Sequence, residues 1–384
     1  MIRKDFFIII GFIPFALFAQ SSLTFAVVGD IMNHDLQIQT AYNKEIDAWD
    51  YKFSFEFVKP YLETADIAIG NLETTLPGDR EKFSGYPQFG APDELLDAIK
   101  WAGFDVLTLA NNHCVDKGLD AIIRTRNMVE KNGMIPLGTF YDDMDQEKKA
   151  VVIYQKNGFK LALLNFTYGT NGIPVPSPAK VNEIDLNILR KQIRKAKEYN
   201  PDAIIVLLHY GTEYQTQPDI YQHYVVHVAL REGADIILGG HPHVLQPFEV
   251  VQIKDKYGQN KNRLIVWSLG NFVSNQLRVN TDGGMIFQFQ LIKQNNHILI
   301  ENIDYIPVYV DFRGKHYILP IHEYIYLSSS IEKNKANYGH LTWNDKKYFV
   351  YFKNEHIKNK QKMANFFINS LEILKVLPKK IEIR

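Results

Sequence analysis

A single grammar recurs along this chain and restricts the folds open to it. A stretch with helical apolar spacing is followed by a stop, then a buried run, then a short polar motif. Residues 93–102 have the helical spacing, Gly103 stops it, and 106–110 read as a strand leading into Asn111-Asn112-His113. Residues 184–199 repeat the pattern with Asn200-Pro201-Asp202 as the stop, and the strand 203–208 leads into His209-Tyr210-Gly211-Thr212-Glu213. Residues 219–231 repeat it again with Gly233 as the stop, and 235–238 lead into Gly239-Gly240-His241-Pro242-His243. Two more motifs, Gly29-Asp30 and Gly70-Asn71-Leu72-Glu73, also follow apolar runs. Helices alternating with strands that are apolar throughout predict an α/β sheet covered on both faces. The motifs fall at the C-terminal ends of the strands, where such sheets open onto a common crevice.

The rest of the chain is strand-rich. Residues 151–154 and 160–165 pair across Lys156-Asn157-Gly158, and the Pro-rich stretch 170–180 reads as a loop rather than a linker. Strands are expected over 263–268, 284–291 and 297–310. From about 340 the chain is rich in Lys, Asn and Tyr and ends in a short helix. The expected organisation is a leader over 1–19, a main domain over 20–310 and a C-terminal α/β extension over 311–384 packed on it. The Lys-rich tail could touch an acidic polymer or a membrane surface, but a solvated face is the default reading.

Composition narrows the function classes. Lys plus Arg and Asp plus Glu are 43 each, so there is no general attraction to nucleic acid. The single cysteine, Cys114, excludes an intrachain disulfide. The first residues change the compartment: Arg3 and Lys4 precede the apolar run 6–18, and Ala19 offers a cleavage point. The expectation is an exported protein of the periplasm or cell envelope, membrane-tethered if the leader is retained. A near-absence of cysteine fits a bacterial envelope better than a disulfide-rich extracellular module.

The residue types at the strand ends are Asp, Glu, Asn and His, the oxygen and imidazole donors of divalent metals. His241 and His243 stand two apart, a spacing that in extended backbone points both rings the same way, onto one metal or onto two. Asp30 is a ligand or a helix cap. Glu73 offers a carboxylate able to bridge two cations. Asn112 offers a carbonyl ligand, and His113 beside it an imidazole suited to proton transfer. His209 is a ligand or a satisfied core histidine. Together they have the sequence form of a metal-dependent hydrolase site. By contrast, His223 and His227, four apart on a predicted helix, lack an evident third donor and read as a solvated face. Cys114 reads as a small buried residue rather than a nucleophile.

These motifs, in order with Asn111-Asn112-His113-Cys114-Val115-Asp116-Lys117-Gly118 and Ser268-Leu269-Gly270-Asn271-Phe272, resemble the CapA family of capsule and poly-γ-glutamate synthesis. Tyr168-Gly169-Thr170-Asn171-Gly172 is similar to a family segment as well. The resemblance spans about residues 23–290. It implies the layered sandwich of the calcineurin-like metallophosphoesterases, central β-sheets flanked by helices. It also implies a role for each residue: Asp30, Glu73, Asn112, His209, His241 and His243 as ligands of one or two divalent ions (Mn, Zn, Fe or Mg), and His113 as the general acid. The implied partners are an anionic polymer or a polymer-synthesis membrane complex. Two functions follow, a metal-assisted hydrolase and a non-catalytic assembly or export factor whose metal site is structural or grips the polymer. One position departs from the pattern. The superfamily's opening block is Asp-x-His, and here it reads Asp30-Ile31-Met32. A full ion site is therefore expected at Asn112, His209 and His241, and a weak one at Asp30 and His243, with Glu73 between. Glu213 or His34 stand as candidates to fill the vacancy.

Overall fold

The computed structural model describes residues 21–294, 297–333, 335–353 and 359–384. The leader expected over 1–19 lies outside the described residues. The apolar runs form strands, but they divide between two sheets instead of forming one. In the first, β1 (Ser21–Ile31), β2 (Ile67–Leu72), β3 (Val106–Thr108) and β4 (Ile135–Leu137) run parallel. In the second, β5 (Val152–Lys156), β6 (Phe159–Thr167), β7 (Ala203–His209), β8 (Ile236–Gly240), β9 (Leu245–Lys254) and β10 (Asn260–Leu269) lie in the order β9-β10-β8-β7-β6-β5. The chain then returns to the first sheet through β11 (Asn271–Val273), β12 (Gly283–Gln294), β13 (His297–Phe312) and β14 (His316–Pro320). That sheet reads β14-β13-β12-β1-β2-β3-β4, with β11 also beside β1.

The two-residue period of a strand explains the layering. Leu23, Phe25 and Val27 of β1 share one face and join Leu161, Leu163, Ile205, Leu207, Ile236 and Leu238 of the second sheet in the largest core. Ala26 and Val28 face the other way, onto Leu95, Leu96 and Ile99 of helix α1 (Asp93–Ala102). The outer face of the second sheet, with Leu164, Val206 and Ile237, is covered by α2 (Leu186–Glu198) and α3 (Ile220–Glu232). The result is a helix–sheet–sheet–helix sandwich. Each sheet is covered on both faces, once by helices and once by the other sheet. Each fully buried Leu, Ile or Phe contributes about 1.5–3 kcal/mol of transfer free energy.

The helix boundaries follow the sequence signals. Asp93 and Glu94 sit in the first turn of α1, where the helix dipole favours negative charge. Asp219 and Gln222 form a capping box at the start of α3. Both helices end on the expected glycines, Gly103 and Gly233, in left-handed backbone (φ 107° and 111°). Beyond Pro320, β15 (Ile325–Ser328), β16 (His340–Trp343), β17 (Lys346–Phe352) and β18 (Glu382–Ile383) make a separate four-stranded sheet. Helix α4 (Lys360–Leu374) buries Met363, Phe366, Phe367 and Leu371 in the same core that joins the two large sheets. Among the described residues, no helix is long and apolar enough to cross a membrane.

Candidate metal centre

Strand register sets the polar motifs side by side. Asp30 of β1 is level with Asn71 of β2, and Asn71 with Thr108 of β3; in the other sheet His209 is level with Gly240. The C-terminal edges of both sheets therefore meet. At that junction the backbone N–H of His241 donates to Asp30 Oδ2 at 3.3 Å. The approach is close because residue 240 is glycine: a Cβ there would come within 2.9 Å of Asp30 Oδ1.

Asp30, Glu73, Asn112, His209, His241 and His243 are all buried and converge. Three groups have donor atoms close enough to share an ion: Glu73, His209 and His241; Asp30, Glu73 and His243; and Glu213, His241 and His243. Glu73 belongs to two of them. Asn112 Oδ1 joins the first, 2.8 Å from His209 Nε2. Glu213 is the most exposed member of the third. His34 joins none; its Nδ1 lies 3.1 Å from Gln37 Oε1 and accepts from the Asn275 N–H at 3.2 Å.

The two histidines of the Gly-His-Pro-His turn do not reach the site through extended backbone, as their spacing suggested. His241 has φ 94° and His243 φ 59°, both in the left-handed region. Their rings come to lie 5.8 Å apart through a turn of opposite hand. Such backbone costs a non-glycine residue about 1–3 kcal/mol and concentrates at functional sites.

The donors fit a cation. Buried polar atoms in folded proteins are hydrogen-bonded with few exceptions, yet Glu73 Oε1 and His241 Nδ1 have no hydrogen-bond partner. Burial pushes the Glu73 carboxyl well above its usual range, reinforced by the Asp30 charge. Burial also acts to raise Asp30, but contacts from His243, His209 and Asn71 outweigh it and hold that carboxyl low. Burial depresses His209 to about 3 and His241 well below its ordinary value, so both are neutral and able to ligate. One ionised and one reluctant carboxylate beside two neutral imidazoles make a cluster short of positive charge, which a divalent ion would supply.

His113 stands apart. It belongs to none of the three groups, and its Nδ1 is 2.7 Å from Asp116 Oδ2. That contact orients the ring, whose edge packs on Phe89, and leaves Nε2 3.5 Å from Asn171 Nδ2. Several residues to which the sequence assigned no role hold the site. Asn71 donates to Asp30 Oδ1 (2.8 Å) and Glu73 Oε2 (3.3 Å). Asn271 Oδ1 faces His243 Nδ1 at 3.0 Å. Tyr168 packs its ring on His241 (4.4 Å) and donates to Asn171 Oδ1 (2.9 Å). Of these supports, Asp116 carried a readable signal, a carboxylate three residues after a histidine. His223 and His227 lie exposed on α3, and Cys114 is buried, its thiol pushed up to about 12.

Residues 24–276 match the family of the bacterial capsule synthesis protein PGA_cap. The chain belongs to that family. It is 32% identical over 288 residues to the capsule biosynthesis protein CapA of Bacillus anthracis, a match covering 72% of this chain and 66% of that protein. It is 30% identical over 281 residues to the PGA biosynthesis protein CapA of Bacillus subtilis, covering 72% and 70%. The chain thus spans about two thirds of the length of these relatives. Among solved structures it is similar to the NAD nucleotidase of Haemophilus influenzae, with TM-score 0.50 and 13% identity over 95% of this chain and 64% of that one, a likeness of fold alone. It also resembles the calcineurin-like phosphoesterase YfkN of Bacillus subtilis, with TM-score 0.45 and 16% identity over 75% of this chain and 90% of that one. The layered sandwich expected from the motifs is therefore a fold this capsule-synthesis chain shares with a nucleotidase.

Proposed function

We propose that this chain is an exported capsule-synthesis protein whose crevice is a divalent-metal hydrolase centre acting on a phosphate ester or on an amide bond of an anionic polymer such as poly-γ-glutamate. The observation that carries the reading is the convergence of six buried donors in which Glu73 Oε1 and His241 Nδ1 have no hydrogen-bond partner among the described residues. Glu73, Asn112, His209 and His241 would hold one ion, and Asp30, Glu73 and His243 a second, with Glu213 at the edge. The bound metal supplies Lewis-acid activation of the scissile group and of water. The protein's own part is proton transfer and positioning. Asp116, 2.7 Å from Nδ1, orients His113 so that a proton delivered to the leaving group would be carried at Nε2. His113 lines a groove of about 720 Å³ with Asn171, Glu213, Tyr214, His243 and Arg278, wide enough for an extended ligand.

The test is turnover of a generic phosphodiester and of a γ-glutamyl polymer with Mn²⁺ or Zn²⁺ added. Metal-dependent hydrolysis that His113→Ala abolishes supports the reading, and no turnover of either substrate refutes it. Met32 favours a second reading, because it puts a thioether where an imidazole would complete a two-ion site. In that reading the chain assembles or exports polymer, its metal centre gripping the anionic chain. Export itself rests on the leader: a mature N-terminus near Gln20 in the envelope fraction is expected, and intact Met1 in the cytoplasm would contradict it.

A further inference from the structure

The groove beside the centre contains one arginine that the protein does not use. Every other arginine among the described residues donates to a protein oxygen. Among the described residues, Arg278 donates to none and has no carboxylate within salt-bridge distance. Its guanidinium carbon instead lies 4.3 Å from the centroid of the Tyr214 ring. Stacking restricts the long side chain, and its N–H groups have no acceptor among the described residues. Arg278 and Tyr214 line the same groove as His113 and His243.

Both partners are anchored to the centre. The Tyr214 N–H donates to the carbonyl of Pro242, inside the Gly-His-Pro-His turn, at 2.8 Å. The loop carrying Arg278 closes on itself, Thr281 donating through N and Oγ1 to the Arg278 carbonyl (3.2 and 2.9 Å). Asn271, whose Oδ1 faces His243, donates from Nδ2 to the Thr281 carbonyl at 2.9 Å and to Gln276 Oε1 at 3.0 Å. One asparagine thus connects the imidazole of the site to the loop that presents the guanidinium. The spacing between the metal donors and Arg278 is therefore built into the fold.

We propose that Arg278, stacked on Tyr214, is an anion subsite that binds a second carboxylate or phosphate of the ligand, next to the group held at the centre. The ligand class is then an oligomeric anion rather than a small monoanion. The inference rests on the crevice being a ligand site as proposed above, but not on any hydrolysis there. A planar guanidinium with unpaired N–H groups suits bidentate contact with either oxyanion.

The test is equilibrium binding by calorimetry to the full chain as purified with its metal, with two probes: a γ-glutamyl decamer and inorganic tripolyphosphate. Arg278→Gln should weaken binding roughly tenfold to a hundredfold, the range of a charge-assisted hydrogen bond. Arg278→Lys should restore only part of it, because an ammonium cannot make the forked contact. Arg231→Gln removes the same charge on a distant helix end and controls for net charge; it should bind like wild type. Loss confined to the decamer assigns a carboxylate ligand, loss confined to tripolyphosphate a phosphate ligand, and loss of both an unselective oxyanion site. Equal binding of both probes by wild type and Arg278→Gln, or an equal loss in Arg231→Gln, overturns the subsite. Absence of hydrolysis with the binding difference intact would refute the hydrolase reading alone.

Discussion

Met32 is the residue at which the proposed centre is least complete. It is buried and lines the groove beside His243, so an imidazole in its place would offer a ligating nitrogen next to the Asp30, Glu73 and His243 group. Met32→His should raise metal affinity or stoichiometry at that group, read by titrating wild type and variant side by side. Two equally tight ions in the wild type would show that Glu213 already fills the vacancy. His113 gives the complementary prediction. His113→Ala should keep its metal while losing roughly 10²–10⁴ in turnover, and Asp116→Asn should lose less. Metal loss in His113→Ala would reassign it as a ligand. The donor residues were legible because their types are those that bind metal and each follows an apolar run. Their supports Asn71 and Asn271 were not assigned, because what those side chains touch depends on strand register and loop path rather than on their own motif.

At the scale of elements, the turn after β8 decides the site. The sequence marks it by two glycines and two histidines, but not by its handedness. His241 and His243 occupy left-handed backbone that their side chains disfavour, so local preference pointed to extended backbone and the tertiary setting overrode it. Gly239 is the dependence that can be tested. A methyl group there meets the Trp267 carbonyl and forces β8 away from β10. Gly239→Ala should cost roughly 2–4 kcal/mol in urea unfolding and should weaken metal binding with it. Wild-type stability and affinity would mean that the close approach is not needed. The helices 93–102 and 219–231 were legible almost to the residue, since caps and glycine stops are local signals.

For the whole molecule, the alternation of helices and buried strands was readable from the apolar pattern, whereas the partition into two sheets was implied only by the family resemblance. A strand under a helix and a strand under another sheet are both buried on two faces and present the same apolar run. The account therefore places the site between two sheets, where a single-sheet reading would put it at one edge. Asp282, outside the site at the start of β12, provides a test of global stability. Burial pushes its carboxyl up to about 6 from an ordinary 3.8. Its raised folded value means that the protein is relatively stabilised below the unfolded value and loses that stability as pH rises through about 6. Asp282→Asn should therefore stabilise the protein by on the order of 3 kcal/mol at pH 8 and by less at pH 5. Equal gains at both pH values in urea melts would contradict this.

The central claim is that the two sheets bring their strand ends together to hold a divalent ion. Metal content of the purified full-length chain, measured by mass spectrometry beside His241→Ala and His243→Ala, tests it most directly. The account predicts at least one tightly held equivalent in the wild type and a sharp fall in both variants, each still folded by circular dichroism. Wild-type metal content in both folded variants would contradict it.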